Sequence, residues 1–255
     1  MINDMKTHLF VWSMALVMSL AMYGCKGEGN DPTQEGNYRY NKKGSAYEVF
    51  MPDGKRVYLQ SGVSDGKRTL SIRDSKWYYQ GVTGEYEEYI YKGDVVFPNF
   101  LVIDGEKQYV TSIPAYDYSG LYNLTELTSV RLPDSLSAIG EGNFRDCTKL
   151  SDINFPEKVD KININVCCGC TSLKTCTIPK QCSHIDASAF DKTSLEKVVC
   201  YSENVDLGHQ GVYDESYHMP FNNTPKFDLY VPKAYIDTYK NSKWTLVSKQ
   251  ILPLD

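Results

Sequence analysis

From residue 38 onward, apolar and polar positions alternate in short runs separated by turn-forming residues. The runs Ala46 to Met51, Arg56 to Val63 and Arg68 to Arg73 are divided by Pro52-Asp53-Gly54-Lys55 and Ser64-Asp65-Gly66-Lys67. Asp-Gly supplies the positive φ of a tight hairpin turn, Pro52 presets the first turn residue, and the alternation turns one face of each strand inward. Lys76 to Val82 and Tyr86 to Tyr91 continue the pattern, so residues 37–91 are expected to form a small antiparallel β meander. Its aromatics include Trp77, Tyr78, Tyr79, Tyr86, Tyr89 and Tyr91. Such residues serve either as sheet core and cross-strand pairs or as a platform on which sugar rings stack, with Trp77 and Tyr79 as the stacking residues.

Further along, the pattern repeats. Leu127, Leu150 and Leu173 stand 23 residues apart, and the same offset relates Pro133, Pro156 and Pro179, and Ile139, Ile162 and Ile185. Leu195 follows at 22, while Ile113, Tyr118, Leu121 and Leu124 repeat the second half of the unit upstream. A unit this short cannot bury its apolar side alone, so coils must stack with strands about 4.8 Å apart and continuous apolar columns. The expected architecture is mostly β with short helical turns: a leucine-rich-repeat solenoid of period 23 over residues 92–224, preceded by the meander. Proline closes each strand because it lacks an amide donor. Positions between the inward ones project outward in two columns, Ser129, Asp152, Thr175 and Arg131, Asn154, Thr177. Short polar side chains at regular spacing suit hydrogen bonding to an extended protein segment or a glycan chain.

The cysteines fall into the same registers. Cys147 and Cys170 share a column, Cys167 stands with Phe144 and Phe190, and Cys176 with Val130 and Ile153. Cys182 stands with Leu136 and Val159, and Cys200 with Leu132 and Ile178; Cys168 alone lies outside the apolar columns. Thiols pointing into a stacked core act as small hydrophobes and do not converge as zinc ligands. Cys147 and Cys170 are within disulfide reach by Cα spacing, but parallel side chains are poorly aimed for the bond.

The N-terminus reads as an export signal. Leu9 to Met22 is apolar, too short for a comfortable span, preceded by Lys6 and followed by Gly24-Cys25, which makes residues 1–24 a secretory signal peptide. A small residue before Cys resembles a bacterial lipobox, which implies that Cys25 is lipidated; Met22 and Tyr23 depart from that motif's usual aliphatic and small residues. Residues 25–36 are then the lipidated Cys and a polar, flexible tether.

Composition narrows the chemistry. Twenty Tyr, nine Phe and three Trp in 255 residues, 42% hydrophobic overall, supply ample core, and a net charge of -5 offers no basic footprint for nucleic acid. No nucleophile elbow, phosphate loop, dinucleotide fingerprint or His-Glu-x-x-His pair occurs, and Glu87-Glu88 in a strand face opposite sides. His184 is expected at the rim of the stack, and His209, Asp214, Glu215 and His218 share a loop at 205–220 that reads as solvated. No catalytic residue, cofactor or metal is expected.

The segment Leu127-Thr-Ser-Val-Arg-Leu-Pro-Asp-Ser-Leu-Ser-Ala-Ile-Gly-Glu-Gly-Asn-Phe-Arg-Asp-Cys-Thr-Lys-Leu150 resembles the BspA-type leucine-rich repeat. So do Tyr91-Lys-Gly-Asp-Val-Val-Phe-Pro98, which looks like the family's opening strand, and Tyr109 to Ile113. Phe221 to Pro225, Leu229 to Lys233 and Tyr235 to Trp244 look like its closing strand and short helix, a cap over residues 225–255. Cys167 in place of the usual Phe, and the long stretch 205–220, depart from the pattern. The resemblance implies an outer-membrane lipoprotein at the cell surface, and a monomer is expected. It also implies adhesion: binding of a host or matrix protein through the strand face, with membrane contact only through the lipid. Glycan capture by the aromatic meander, or an envelope role holding another bacterial subunit, are the alternatives.

Overall fold

The computed structural model describes residues 38–74, 90–115, 121–208 and 219–254. The signal peptide, Cys25 and the tether lie outside these residues, as do Trp77, Tyr78, Tyr79, Tyr86, Tyr89, Tyr118, His209, Asp214, Glu215 and His218.

Strands β1 (Arg39–Lys43), β2 (Ala46–Phe50), β3 (Arg56–Ser64) and β4 (Lys67–Arg73) pair antiparallel in sequence order. Asp65 and Gly66 both have positive φ, 51° and 72°, as the two-residue hairpin requires. One face buries Tyr47, Val49, Val57, Leu59 and Ile72. The other is also covered: Tyr58 N–H donates to Tyr91 Oη at 2.9 Å, and Tyr91 Oη–H donates to Arg73 O at 2.9 Å. Buried Glu48 accepts from Tyr58 Oη and Arg56 Nη1, both at 3.1 Å, and from Asn41 Nδ2 at 2.8 Å. Tyr91 is therefore a core residue, tied by its hydroxyl to two strands.

The meander does not end as an isolated sheet. After β5 (Gly93–Val96), strands β6 (Phe100–Ile103) and β7 (Glu106–Ile113) form a second hairpin on Asp104-Gly105, again with both φ positive. That turn lays β7 parallel to β4, and β9 (Ala138–Ile139) lies parallel to β7, after β8 (Leu127–Arg131). One seven-stranded sheet thus runs from the meander into the repeats across residue 91.

In the repeats every ladder is parallel. Strand β10 (Asp152–Ile153) pairs with β8, which pairs with β5, aligning Val95, Val130 and Ile153. Strands β11 (Lys161–Ile162), β13 (His184–Ile185) and β15 (Asp206–Leu207) align Ile162, Ile185 and Leu207. Strands β12 (Thr175–Ile178), β14 (Lys197–Cys200), β16 (Phe227–Pro232) and β17 (Ser248–Leu254) align Cys176, Val198, Leu229 and Ile251. All these column residues except Ile251, at the sheet edge, are buried.

The thiols occupy the expected columns and are free, which leaves Cys147 and Cys170 unbridged. Cys147 Sγ donates to Leu121 O at 3.5 Å, and Cys170 Sγ to Phe144 O at 3.0 Å, the same contact one coil later. Cys168, placed outside the columns by sequence, is buried as well, with Sγ 3.8 Å from Asp191 Oδ2. Two short helices, α1 (Ile236–Lys240) and α2 (Trp244–Val247), close the stack. Tyr239 Oη lies 3.1 Å from Cys200 Sγ and donates to Ser202 O, while Trp244 Nε1 donates to Val205 O at 2.9 Å. Phe221 stacks on Phe190 at 5.3 Å and 6° and also touches Trp244, carrying the core into the cap. Where the sequence suggested one short helix over Tyr235 to Trp244 there are two, and β17, which the sequence pattern did not single out, adds a further parallel strand beyond them.

A polar knot ties three successive coils. Asp186, 1% exposed, has one carboxylate oxygen 2.8 Å from Lys161 Nζ and the other 2.8 Å from His184 Nε2. His184 Nδ1 faces Asp206 Oδ2 at 3.4 Å. The imidazole lies against Gly208, where a Cβ would overlap the ring, so only glycine admits it. Removing the Lys161 ammonium takes a cationic partner from the buried Asp186 carboxylate. Lys161→Met is expected to cost about 2 kcal/mol, below the value for a fully buried pair because the lysine is about a third exposed. Urea unfolding with an unchanged m-value tests this.

Burial pushes the thiol of Cys182 up to about 12 and, with Asp191 nearby, that of Cys168 up to about 11; those of Cys147, Cys170 and Cys176 rise for the same first reason or through hydrogen bonds to neighbouring thiols. At neutral pH all are protonated and poor nucleophiles. Iodoacetamide at pH 8 should spare these cysteines in the folded chain and label them after denaturation, as peptide mass mapping would show. Because the folded values are raised, the stabilisation is complete below the unfolded value of about 8.5 and is lost as pH rises through the folded values. The urea midpoint should therefore be lower at pH 10 than at pH 7.

Candidate functional site

The strand face lies opposite the buried columns and divides into two halves. On β5, β8 and β10 its polar side chains are spent on one another. Ser129 Oγ and Thr128 Oγ1 donate to Asp94 Oδ1 at 2.7 and 2.8 Å, which holds the Asp94 carboxyl below the usual carboxylate range. The Lys55 ammonium, from the turn after β2, donates to Asp94 O. Arg131 Nη2 pairs with Asp152 Oδ2 at 3.2 Å, one coil away. Both partners are more than half exposed, so the pair adds little stability but fixes the two side chains.

Asn154, expected to project outward, folds back instead. Its Oδ1 accepts from Leu132 N–H at 2.7 Å and its Nδ2 donates to Leu132 O at 2.9 Å. Strand β10 ends at Ile153, so this amide replaces the backbone ladder that a third strand residue would have made. Its polar atoms are satisfied and half-buried, which makes it a clamp between coils and not a ligand contact.

The other half differs. Thr175 pairs in register with Lys197, Lys197 with Asp228 and Asp228 with Gln250. Beside this polar row runs Thr177, Val199, Tyr230 and Leu252, also in register. Thr175 and Thr177 are exposed, while Val199, Tyr230 and Leu252 are half-buried with only the outer face before them. Lys197 Nζ lies 4.6 Å above the Tyr230 ring. Tyr201, just beyond β14, is 46% exposed. Asp228 Oδ1 is buried without a hydrogen-bond partner. Of the six strand-face residues singled out by sequence, the structure thus joins Thr175 and Thr177 to this row and binds Ser129, Arg131, Asp152 and Asn154 into the other half. The sequence reading missed Lys197, Val199, Tyr230 and Leu252. The signal was present: continuing the columns past Leu195, in the register that places Cys200 with Ile178, brings Lys197 and Val199 beside Thr175 and Thr177.

His184 is engaged by two aspartates in the knot described above. Among the described residues, no group of three or more His, Cys, Asp or Glu is arranged to hold a metal ion. No helix of the described residues is long and apolar enough to cross a membrane.

Comparison with known proteins gives the repeats a family context. No curated protein matches the chain. A solved leucine-rich repeat protein from Bacteroides ovatus ATCC 8483 is 18% identical with a TM-score of 0.44, covering 68% of this chain and 48% of that one. A leucine-rich cell surface protein from Faecalibacterium prausnitzii A2-165 is 18% identical with a TM-score of 0.49, covering 80% and 42%. A leucine-rich repeat protein from T. pallidum is 20% identical with a TM-score of 0.41, covering 71% and 92%. The chain spans less than half the length of the first two. The sequence family described as "BspA type Leucine rich repeat region" matches residues 105–217 in six copies. Leucine-rich repeat regions are in general protein-interaction modules. The parallel ladders, the period of 23 and the family match agree: residues 105–217 are a BspA-type leucine-rich repeat region.

Proposed function

We propose that this chain is an exported, non-enzymatic binding protein that captures a host or matrix protein on the strand face of β12, β14, β16 and β17. The observation that carries the reading is the row Thr177, Val199, Tyr230 and Leu252, in register and open to solvent beside Thr175, Lys197, Asp228 and Gln250. An apolar and aromatic strip flanked by short polar groups matches an interface core with its rim, and tyrosine is favoured at such cores. The export signal and the Cys25 lipobox resemblance support display on an outer membrane, with the domain held off the bilayer by the tether.

Binding of the full chain to immobilised extracellular-matrix and host cell-surface proteins tests the proposal. Tyr230→Ala, and separately Val199→Asp, are expected to weaken capture about tenfold or more while the thermal unfolding profile stays cooperative. Asn154→Ala should lower stability by about 1 kcal/mol through the lost clamp, with little effect on affinity. Equal binding by wild type, Tyr230→Ala and Val199→Asp would overturn the assignment of the face. Protease treatment of intact cells checks display: a surface protein is cleaved, a periplasmic one is spared.

A further inference from the structure

A concave site opens where β4 meets β7, and none of its lining residues belongs to the strand-face row. Strands β4 and β7 run parallel, but their ladder joins only Thr69 to Ser71 with Tyr109 to Ser112. Ahead of Thr69 and Tyr109 the strands part, and the hairpin turns Asp65-Gly66 and Asp104-Gly105 stand at the two lips of an open cleft of about 1190 Å³. This exceeds the usual size of about 300–1,000 Å³ for a single small-ligand pocket, so the cleft has room for several linked units.

Most lining residues are polar or charged, set around one aromatic platform. Tyr109 is 46% exposed and is braced by Phe100, whose ring lies 5.5 Å away at 54°, while Lys107 Nζ covers the Phe100 ring at 4.4 Å. Lys67, Arg68 and Lys158 also line the cleft, and among the described residues none of the three has an ion pair or side-chain hydrogen bond. Lys107 makes four cations, set against the carboxylates of Asp104, Glu106 and Asp134, on a chain whose net charge is -5. Gln108 lines the cleft too; it is 3% exposed, and its Oε1 has no hydrogen-bond partner. An unpaired buried acceptor is costly unless a donor reaches it.

We propose that this cleft binds an acidic oligosaccharide, a chain of sugar units bearing carboxylate groups. The half-open Tyr109 ring offers a flat surface for the C–H face of one sugar, as aromatic side chains do for apolar faces in general. Lys67, Arg68 and Lys158 are placed to receive the carboxylates, and Asp134, Glu106 and the Gln108 amide to accept from hydroxyls. A peptide fits less well: among the described lining residues Tyr109 is the one exposed large apolar side chain, so no row of apolar pockets stands ready to take alternate side chains. The site is separate from the strand-face row and independent of it.

Titration calorimetry of the full chain with oligogalacturonate, with its methyl-esterified counterpart and with a poly-glutamate peptide tests this. Oligogalacturonate should bind, and the neutral ester and the peptide should bind at least about tenfold more weakly. Tyr109→Ala should weaken oligogalacturonate binding about tenfold or more. Both substituted positions in Lys67→Ala/Arg68→Ala are exposed, so this variant is expected to fold, to lose affinity and to show a shallower salt dependence. Tyr230→Ala should bind the sugar as wild type does. Absence of binding, poly-glutamate binding equal to oligogalacturonate, or full affinity in the Lys67→Ala/Arg68→Ala variant would each overturn the proposal.

Discussion

The structure depends on one constraint: a 23-residue coil has too little apolar surface of its own and acquires a core only by stacking on the next. Register is what makes the stack possible. Val95 on Val130 on Ile153, and Ile162 on Ile185 on Leu207, place buried side chains above one another at ladder spacing. A slip of one residue would turn every column to solvent. The polar contacts between coils obey the same rule, since Cys147 and Cys170 reach carbonyls of the preceding coil at equivalent positions. The Asn154 amide and the Lys161, Asp186, His184 and Asp206 knot lock neighbouring coils where the ladders are only two residues long.

A stack has ends, and each end exposes core and strand edge. At the C-terminal side, Tyr239 and Trp244 cover the last columns, and Phe221 joins them to Phe190. Strand β17 forms the edge of that sheet, where exposed Lys249 and the missing N–H of Pro253 discourage pairing with another chain. At the other side the meander takes up the cap's role by fusing to the first coils through β7. Its own edge strand, β1, carries Arg39, Lys42 and Lys43. The partial pairing of β4 with β7 is what opens the cleft, so one join both seals the stack and creates a concave surface.

The two halves of the strand face show how one geometry yields different surfaces. Between β8 and β10 the ladder is only two residues long, and the side chains of Asn154 and Arg131 supply further contacts between coils. Along β12, β14, β16 and β17 the ladders run three to six residues, the backbone bonds join the coils, and outward side chains form no clamp between them. The proposed capture surface lies on these C-terminal coils, at Thr177, Val199, Tyr230 and Leu252.

Much of this was legible in the chain itself. The 23-residue offset fixed the inward columns, the cysteine registers and the direction of Thr175 and Thr177, because burial at constant spacing leaves a periodic trace in sequence. Asp65-Gly66 marked its hairpin because positive φ restricts the residues that can occupy it. Tertiary structure alone decided the rest. Nothing local distinguishes Asn154 from Thr177 at equivalent outward positions; the difference lies in whether a ladder continues beside them. The fusion of β4 with β7, the approach of His184 to Gly208 and the cleft beside Tyr109 each join residues with no common period. Periodicity records which side of a strand faces the core, while contacts between non-repeating segments depend on where the folded chain brings them together.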